Sequence, residues 1–253
     1  MLAEWFETPQ GRYVLGWEQR QFDSAVDDVF GYYAVQLGLP GIDFLRENRI
    51  PFRFSAGMEP GAVVRTDSWT LPFASQSIDL VAMPHVLEFS DRAHAILREA
   101  ERVLMPGGSI VISGFNPLSL WGAKRAVGPR QDGMPWSGRF IGLVRLRDWL
   151  HLLGFELNGG RFGCYAPPFT SARWLERSRF MEWAGDRWWP IAGGVYVVRA
   201  VKHTVGMRLV MPSWKQRMVP KKALAPVAQR DAARMAERVV ELAARRAQKL
   251  TRK

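Results

Sequence analysis

Cysteine is almost absent from this sequence: Cys164 is the single one in 253 residues. A disulfide within the chain is therefore excluded, which suits a reducing compartment, and Cys164 itself is expected to be inert. Histidine is scarce too. His85, His94, His151 and His203 lack metal-ligand spacing and have no cysteine cluster beside them, so no metal site is expected. No apolar run approaches the ~18 residues that span a bilayer, and the N-terminal MLAEWFETPQGRY carries acids where a signal peptide would be apolar. Gly-x-Ser-x-Gly is missing, and no Ser-His-Asp order can be defended. These absences point to a soluble cytoplasmic protein with no transmembrane segment.

Acidic residues are also missing from one end. Residues 201–253 hold 14 Lys+Arg against 3 Asp+Glu, whereas residues 1–200 hold 21 of each sign, so the whole net charge of +11 lies in the tail. Attraction to an acidic partner, RNA or an anionic surface, is thus expected of residues 205–253 and not of the body. Pro212, Pro220 and Pro226 mark a linker, placed at 206–226, before an Ala- and Arg-rich stretch at 227–253 that reads as a helical or partly disordered tail.

What the body does contain is an alternation of strand and helix signals. A helix is expected over residues 15–29, from Leu15, Phe22, Val26 and Val29. Short strands follow at 32–37, 52–56 and 62–66, with the start of a helix at 42–49 stopped by Pro51. The run SIDLVAM (77–83) reads as a strand buried on both faces. A helix at 90–104, capped by Ser90 or Asp91, buries Ala93, Ile96, Leu97, Ala100, Val103 and Leu104, and Gly107-Gly108 ends it before the strand SIVISGF (109–115). Strand, helix, glycine stop, strand is the pattern of a parallel α/β sheet. Beyond it come a loop-rich segment at 116–140, a helix at 144–155, a tryptophan-rich segment at 171–190 and two strands at 157–167 and 193–203. Trp174, Trp183, Trp188 and Trp189 leave two readings open: lid packing, or the lining of a pocket for an apolar acceptor.

Residues 65–117 carry a recognisable series. Asp67 precedes Leu71-Pro72-Phe73; Ser77-Ile78-Asp79-Leu80-Val81 follows; then come His85-Val86-Leu87-Glu88, Arg98-Glu99, Arg102-Val103-Leu104 and Pro106-Gly107-Gly108. In this order and spacing the block resembles the second half of a class I S-adenosylmethionine-dependent methyltransferase domain of the type 11 kind. Weaker similarity extends the likeness to roughly residues 30–203. The resemblance implies a Rossmann-like sheet of seven mostly parallel strands, an antiparallel last strand, helices on both faces and S-adenosylmethionine as cofactor. The methyltransferase-like domain is then expected over 1–205.

In such sheets ligands bind beyond the carboxyl ends of the strands, near the switch in strand order. Gln36, Gly38, Ser55, Asp67, Ser68, Trp69, Met83 and His85 all follow or end expected strands and are the candidate cofactor residues. The resemblance assigns Asp67, Ser68 and Trp69 to the adenine. His85 could serve as a base but reads better as scaffold, and no catalytic residue is assigned. The first loop departs from the family pattern: Gln36 stands where an acid is usual, and Pro40 and Ile42 stand where glycines are usual. Pro40 has no N–H to donate. Each lost hydrogen bond to a charged group costs about 1.5–3 kcal/mol, and two such losses amount to ~100-fold in affinity or more. Three functions follow in order: methyl transfer to an unidentified acceptor, a catalytically inactive methyltransferase-like binding or scaffold module docking through its basic tail, and an RNA-modifying methyltransferase.

Overall fold

The computed structural model describes residues 2–127, 133–178 and 180–203. The expected linker and basic tail lie outside the described residues.

Two helices precede the sheet, α1 (Leu2–Phe6) and α2 (Pro9–Val26). The Thr8 hydroxyl caps α2 by accepting from the Gly11 N–H at 3.1 Å, and Pro9 fits the first turn, where an N–H would have no intrahelical partner. The capping turn explains why α2 starts at Pro9 and not at residue 15. Then come β1 (Tyr33–Leu37), β2 (Phe52–Gly57), β3 (Val64–Arg65) and β4 (Ile78–Pro84). They are followed by α3 (Ala93–Val103), β5 (Leu104–Phe115), α4 (Leu120–Val127) and α5 (Leu143–Leu152). The chain continues with β6 (Phe155–Gly163), α6 (Ala172–Arg177), α7 (Phe180–Trp188) and β7 (Val195–Lys202).

The seven strands form one sheet in the order β3-β2-β1-β4-β5-β7-β6. β1 to β5 pair in parallel, and β7 runs antiparallel between β5 and β6. This is the α/β, Rossmann-like, mostly parallel sheet expected from the sequence. Side chains alternate across it, as the strand period of two requires. Val35, Leu37, Val81, Met83, Ile110 and Ile112 face α3 and α5 on one side. Ala34, Leu80, Ala82 and Val111 face α1, α2 and Trp121 of α4 on the other. Both layers are closed to water, which is why β4 reads as an unbroken apolar run.

Two expectations are corrected. Neither Ser90 nor Asp91 is the N-cap of α3: Arg92 holds that position with no side-chain cap, because the Ser90 hydroxyl is taken up one step earlier, accepting from the Arg92 N–H at 3.1 Å. And residues 42–49 form no helix; the chain crosses from β1 to β2 as a loop. Its backbone groups are satisfied by side chains instead. The Gln36 amide nitrogen donates to the carbonyls of Gly38, Leu39 and Ile42 at 2.8–3.1 Å, and its oxygen accepts from the Phe44 N–H at 2.9 Å. The Arg53 guanidinium donates to the carbonyls of Leu45, Arg46 and Asn48 at 2.6–3.2 Å. Asn48 in turn donates to the Val26 carbonyl at the end of α2 and to the Val29 carbonyl beyond it. With these staples in place Phe44, Leu45 and Ile50 bury themselves on the sheet as a helix would, Phe44 against Phe22 of α2 with ring centroids 4.8 Å apart.

Candidate functional site

The strand order reverses between β1 and β4, and there the carboxyl ends of β1 to β4 open on a cavity of about 780 Å³. Gly38, Asp67, Ser68 and Trp69 line it, as expected from the sequence, together with Pro40, Glu59 and Arg92. Residues of α1 and Met134 complete the rim.

Three candidates do not reach this cavity. Gln36 is buried and its amide binds the β1–β2 loop. Ser55 accepts from the Val63 N–H at 3.3 Å, holding the β2–β3 turn. Met83 is fully buried in the core under α3, on the sheet face opposite α2. None of these three side chains lines the cavity.

The first loop is strained where it meets the cavity. Gly38 and Leu39 both adopt left-handed backbone, φ 72° and 48°. For leucine this costs on the order of 1 kcal/mol or more, and the Gln36 amide, which binds both carbonyls, holds it there. His85 and Cys164, at the ends of β4 and β6, are also left-handed, φ 53° and 60°. Three of the four non-glycine residues with left-handed backbone among the described residues thus lie at the edge of the sheet where ligands of this fold bind, and the fourth, Gln76 (φ 55°), precedes β4 at the opposite edge.

A carboxylate outside the sequence candidates also lines the cavity. Glu59 lies beyond the end of β2, but the turn through Pro60 and Gly61 brings its side chain back over the strand tips. A Cβ on Gly57 would sit 2.5 Å from one Glu59 oxygen, and a Cβ on Gly38 would sit 3.8 Å from the other. The missing signal was the Pro-Gly turn after it. Glu59 and Asp67 make no side-chain hydrogen bond with the described residues and remain acceptors facing the cavity. Asp67 and Trp69 are positioned from below: Arg102 of α3 donates to the carbonyls of Leu71 and Phe73 at 2.9–3.0 Å, and Glu99 accepts from the Leu71 N–H at 3.0 Å. The Arg102 hydrogen bond holds Glu99 below the ordinary carboxylate range. Above, the Arg92 guanidinium lies 5.1 Å from the Trp69 ring centroid.

His85 joins the cavity wall, yet its ring is turned inward and fully buried. Nε2 lies 2.7 Å from the Glu18 carboxylate of α2, and Nδ1 contacts Glu88. Glu88 also accepts from the Phe115 N–H at 2.8 Å. Burial alone would push the imidazole pKa down, but the two carboxylates push it further up, to about 10. His85 is thus an imidazolium clamped between two buried carboxylates, not a free base. A sequence signal existed: Val14, Glu18, Phe22 and Val26 share one helix face, and Glu18 is the carboxylate in that apolar stripe.

No helix among the described residues is long and apolar enough to cross a membrane. Residues 40–112 match the model of the methyltransferase domain. YafS, an uncharacterised protein of Escherichia coli, is 32% identical over 161 residues, covering 62% of this chain and 67% of that protein. A solved SAM-dependent methyltransferase of Archaeoglobus fulgidus superposes with a TM-score of 0.53 at 17% identity, over 76% of this chain and 94% of that one. A Thermotoga maritima structure, described as a SAM-dependent methyltransferase and possible histamine N-methyltransferase, gives 0.51 at 17% identity, over 76% and 97%. At such identities these structures speak for the fold alone. Domain match, relative and sheet order agree: the chain belongs to the class I S-adenosylmethionine-dependent methyltransferases.

Proposed function

We propose that this protein binds S-adenosylmethionine in the cavity at the tips of β1 to β4 and transfers its methyl group to an acceptor that is not yet identified. The observation that carries this reading is the pair of carboxylates, Glu59 and Asp67, that have no side-chain hydrogen bond among the described residues and face one cavity of about 780 Å³ at the switch point. The residues present fit an adenosyl group. Asp67 and Ser68 would receive the adenine amine, beside the Trp69 ring. Glu59 would accept from the ribose hydroxyls in place of an acid at the end of β2. Gly38 leaves the backbone open next to it, and a side chain there would be strained at φ 72°. When bound, the cofactor supplies an activated methyl group. The chain's own part is to orient it, and to exclude water with α1 and the segment at Met134. His85 moves no proton in this scheme; its charge fixes the β4 tip that forms the cavity wall.

One observation favours the second reading, a binding module without turnover. Gln36, which stands where the family has an acid, carries no charge for a cofactor ammonium, and its side chain is buried and turned to the β1–β2 loop. Calorimetric titration with S-adenosylhomocysteine and a methyl-transfer screen separate the two. Methyl transfer requires binding that Asp67→Ala weakens about 10-fold or more, the loss of one hydrogen bond to a charged acceptor. Binding without turnover on any acceptor class would support the module. Absence of binding at millimolar ligand would overturn methyl transfer and favour the module.

A further inference from the structure

Glu18 does not line the cavity, yet a single ring ties it to the cavity wall. It lies on α2, outside the residues 40–112 that match the methyltransferase domain, and its side chain is fully buried. One oxygen lies 2.7 Å from His85 Nε2, and the other, Oε2, has no hydrogen-bond partner among the described residues. On the far side of the ring Glu88 holds Nδ1. Among the described residues His85 is the only cation paired with either carboxylate. Aromatic rings close the clamp to water: the His85 ring centroid lies 4.5 Å from that of Phe115 in β5 and 5.9 Å from that of Phe6 in α1. Such an enclosed ion pair adds little net stability, because desolvation offsets the attraction, but losing one member leaves a charge stranded. Its consequence is therefore sought in what it holds in place.

What it holds is the tip of β4. His85 is left-handed there, φ 53°, and Val86 follows it into the cavity wall. The register that pairs Gln36 with Ala82 brings the tips of β1 and β4 side by side. A Cβ on Gly38 would meet the Val86 side chain at 3.4 Å. The gap between Gly38 and Val86 is thus set from the β1 side by the Gln36 amide and from the β4 side by His85. Backbone in this region persists only where its surroundings over-determine it, and for His85 the grip on both ring nitrogens does so. Helix α1 belongs to the same unit. Its Leu2 and Ala3 line the cavity, and it presses on α2 so closely that a Cβ on Gly11 would fall 2.0 Å from the Trp5 carbonyl oxygen. A change at Glu18 therefore reaches the cavity through His85 and Val86 and through the seat of α1.

We propose that Glu18 is a positioning residue for the cofactor cavity: through His85 it fixes the wall between Val86 and Gly38 against which the adenosyl ligand is held. The inference rests on the adenosyl reading of the cavity. It predicts that ligand affinity follows the charge of His85. Burial is the strongest influence on that ring and lowers its pKa; Glu18 is the strongest influence opposing it. The other groups packed on the clamp do not titrate with it. Helix α1 and β5 present Phe6 and Phe115. Burial and then Glu18 push the Cys164 thiol well up, and burial and then Glu88 do the same to the Tyr196 phenol. The test is calorimetric titration of the full chain with 5′-methylthioadenosine, which has neither the amine nor the carboxylate of the whole cofactor and keeps one charge across the window. From about pH 5.5 to 8 the wild type should hold its affinity, since its His85 titrates at about 10. Glu18→Gln, which keeps an acceptor but not the charge, should lose at least about 10-fold over the same range. A merely structural defect would lower affinity by the same factor at every pH. If Glu18→Gln does not fold, Glu88→Gln removes the other carboxylate and should show the same displaced loss. If neither folds, wild-type affinity should fall as pH passes about 10 while near-UV dichroism stays that of the folded protein. Parallel profiles of wild type and variant, or a wild-type profile that stays flat beyond pH 10, overturn the role of Glu18 and leave the adenosyl reading standing. Binding at no pH at millimolar ligand overturns both.

Discussion

Between β4 and β5 the crossover is α3, held to the sheet by the buried side chains of Ala93, Ile96, Leu97, Ala100 and Val103. Between β1 and β2 the crossover, residues 38–51, has no helix and is held by hydrogen bonds from Gln36, Asn48 and Arg53. Both crossovers lie in one parallel sheet and both border the same cavity. Apolar packing is non-directional and tolerates small shifts, whereas a polar staple sets the position of each carbonyl it binds. The comparison suggests that the rebuilt first loop keeps the cavity open by directional bonds where a helix and a glycine run would otherwise do so.

His85 ties the two regions together, since its carboxylates come from α2 and from the turn after β4. Replacing it strands two buried carboxylates. His85→Gln is expected to cost on the order of 3–5 kcal/mol in urea denaturation, the largest effect among these variants. It should also change the pH profile. The folded pKa, about 10, lies above the ordinary histidine value of 6.5. The clamp's stabilisation is therefore complete below about pH 6.5 and is lost as pH rises toward 10. The wild type should lose stability across that window while the variant's curve is flatter there. Parallel curves would show that His85 is not charged in the folded state.

Ile96→Ala removes a fully buried side chain from α3 and should cost about 2–5 kcal/mol, shared over the whole domain. Gln36→Leu is smaller and more local. It removes the side-chain donor to the carbonyls of Gly38, Leu39 and Ile42, of which Leu39 keeps the Ile42 N–H, about 1–3 kcal/mol. Amide hydrogen exchange should quicken over residues 38–44 and stay unchanged in α3. Exchange that rises equally in both segments would mean the loop and the helix are held in the same way.

This difference in forces also decides what could be read in advance. The strand at 77–83, the helix on Ile96 and Leu97, and the strand at 109–115 were legible because periodic burial writes itself into residue order. The sheet's seven strands and its antiparallel member followed from the family resemblance on that block. Asp67, Ser68, Trp69 and Gly38 were legible as cavity residues for the same reason. The loop at 42–49 was misread as a helix because staples from Gln36 and Arg53 leave no periodic trace. Glu59 is not among the sequence candidates because strand spacing does not foresee a turn that doubles back. His85 was found, but not its partners: Glu18 comes from a helix outside the resemblance, and only its place between Val14 and Phe22 hinted at burial beside a cation.

The central claim is that the cavity above Gly38, Glu59 and Asp67 holds an adenosyl ligand although the first turn is rebuilt around Pro40. A crystal structure grown with saturating S-adenosylhomocysteine tests it most directly. The account predicts ribose density at Glu59, adenine density at Asp67 and Ser68, and a loop at 38–44 still stapled by Gln36. Ligand density at any other place, or none at saturation, would contradict it.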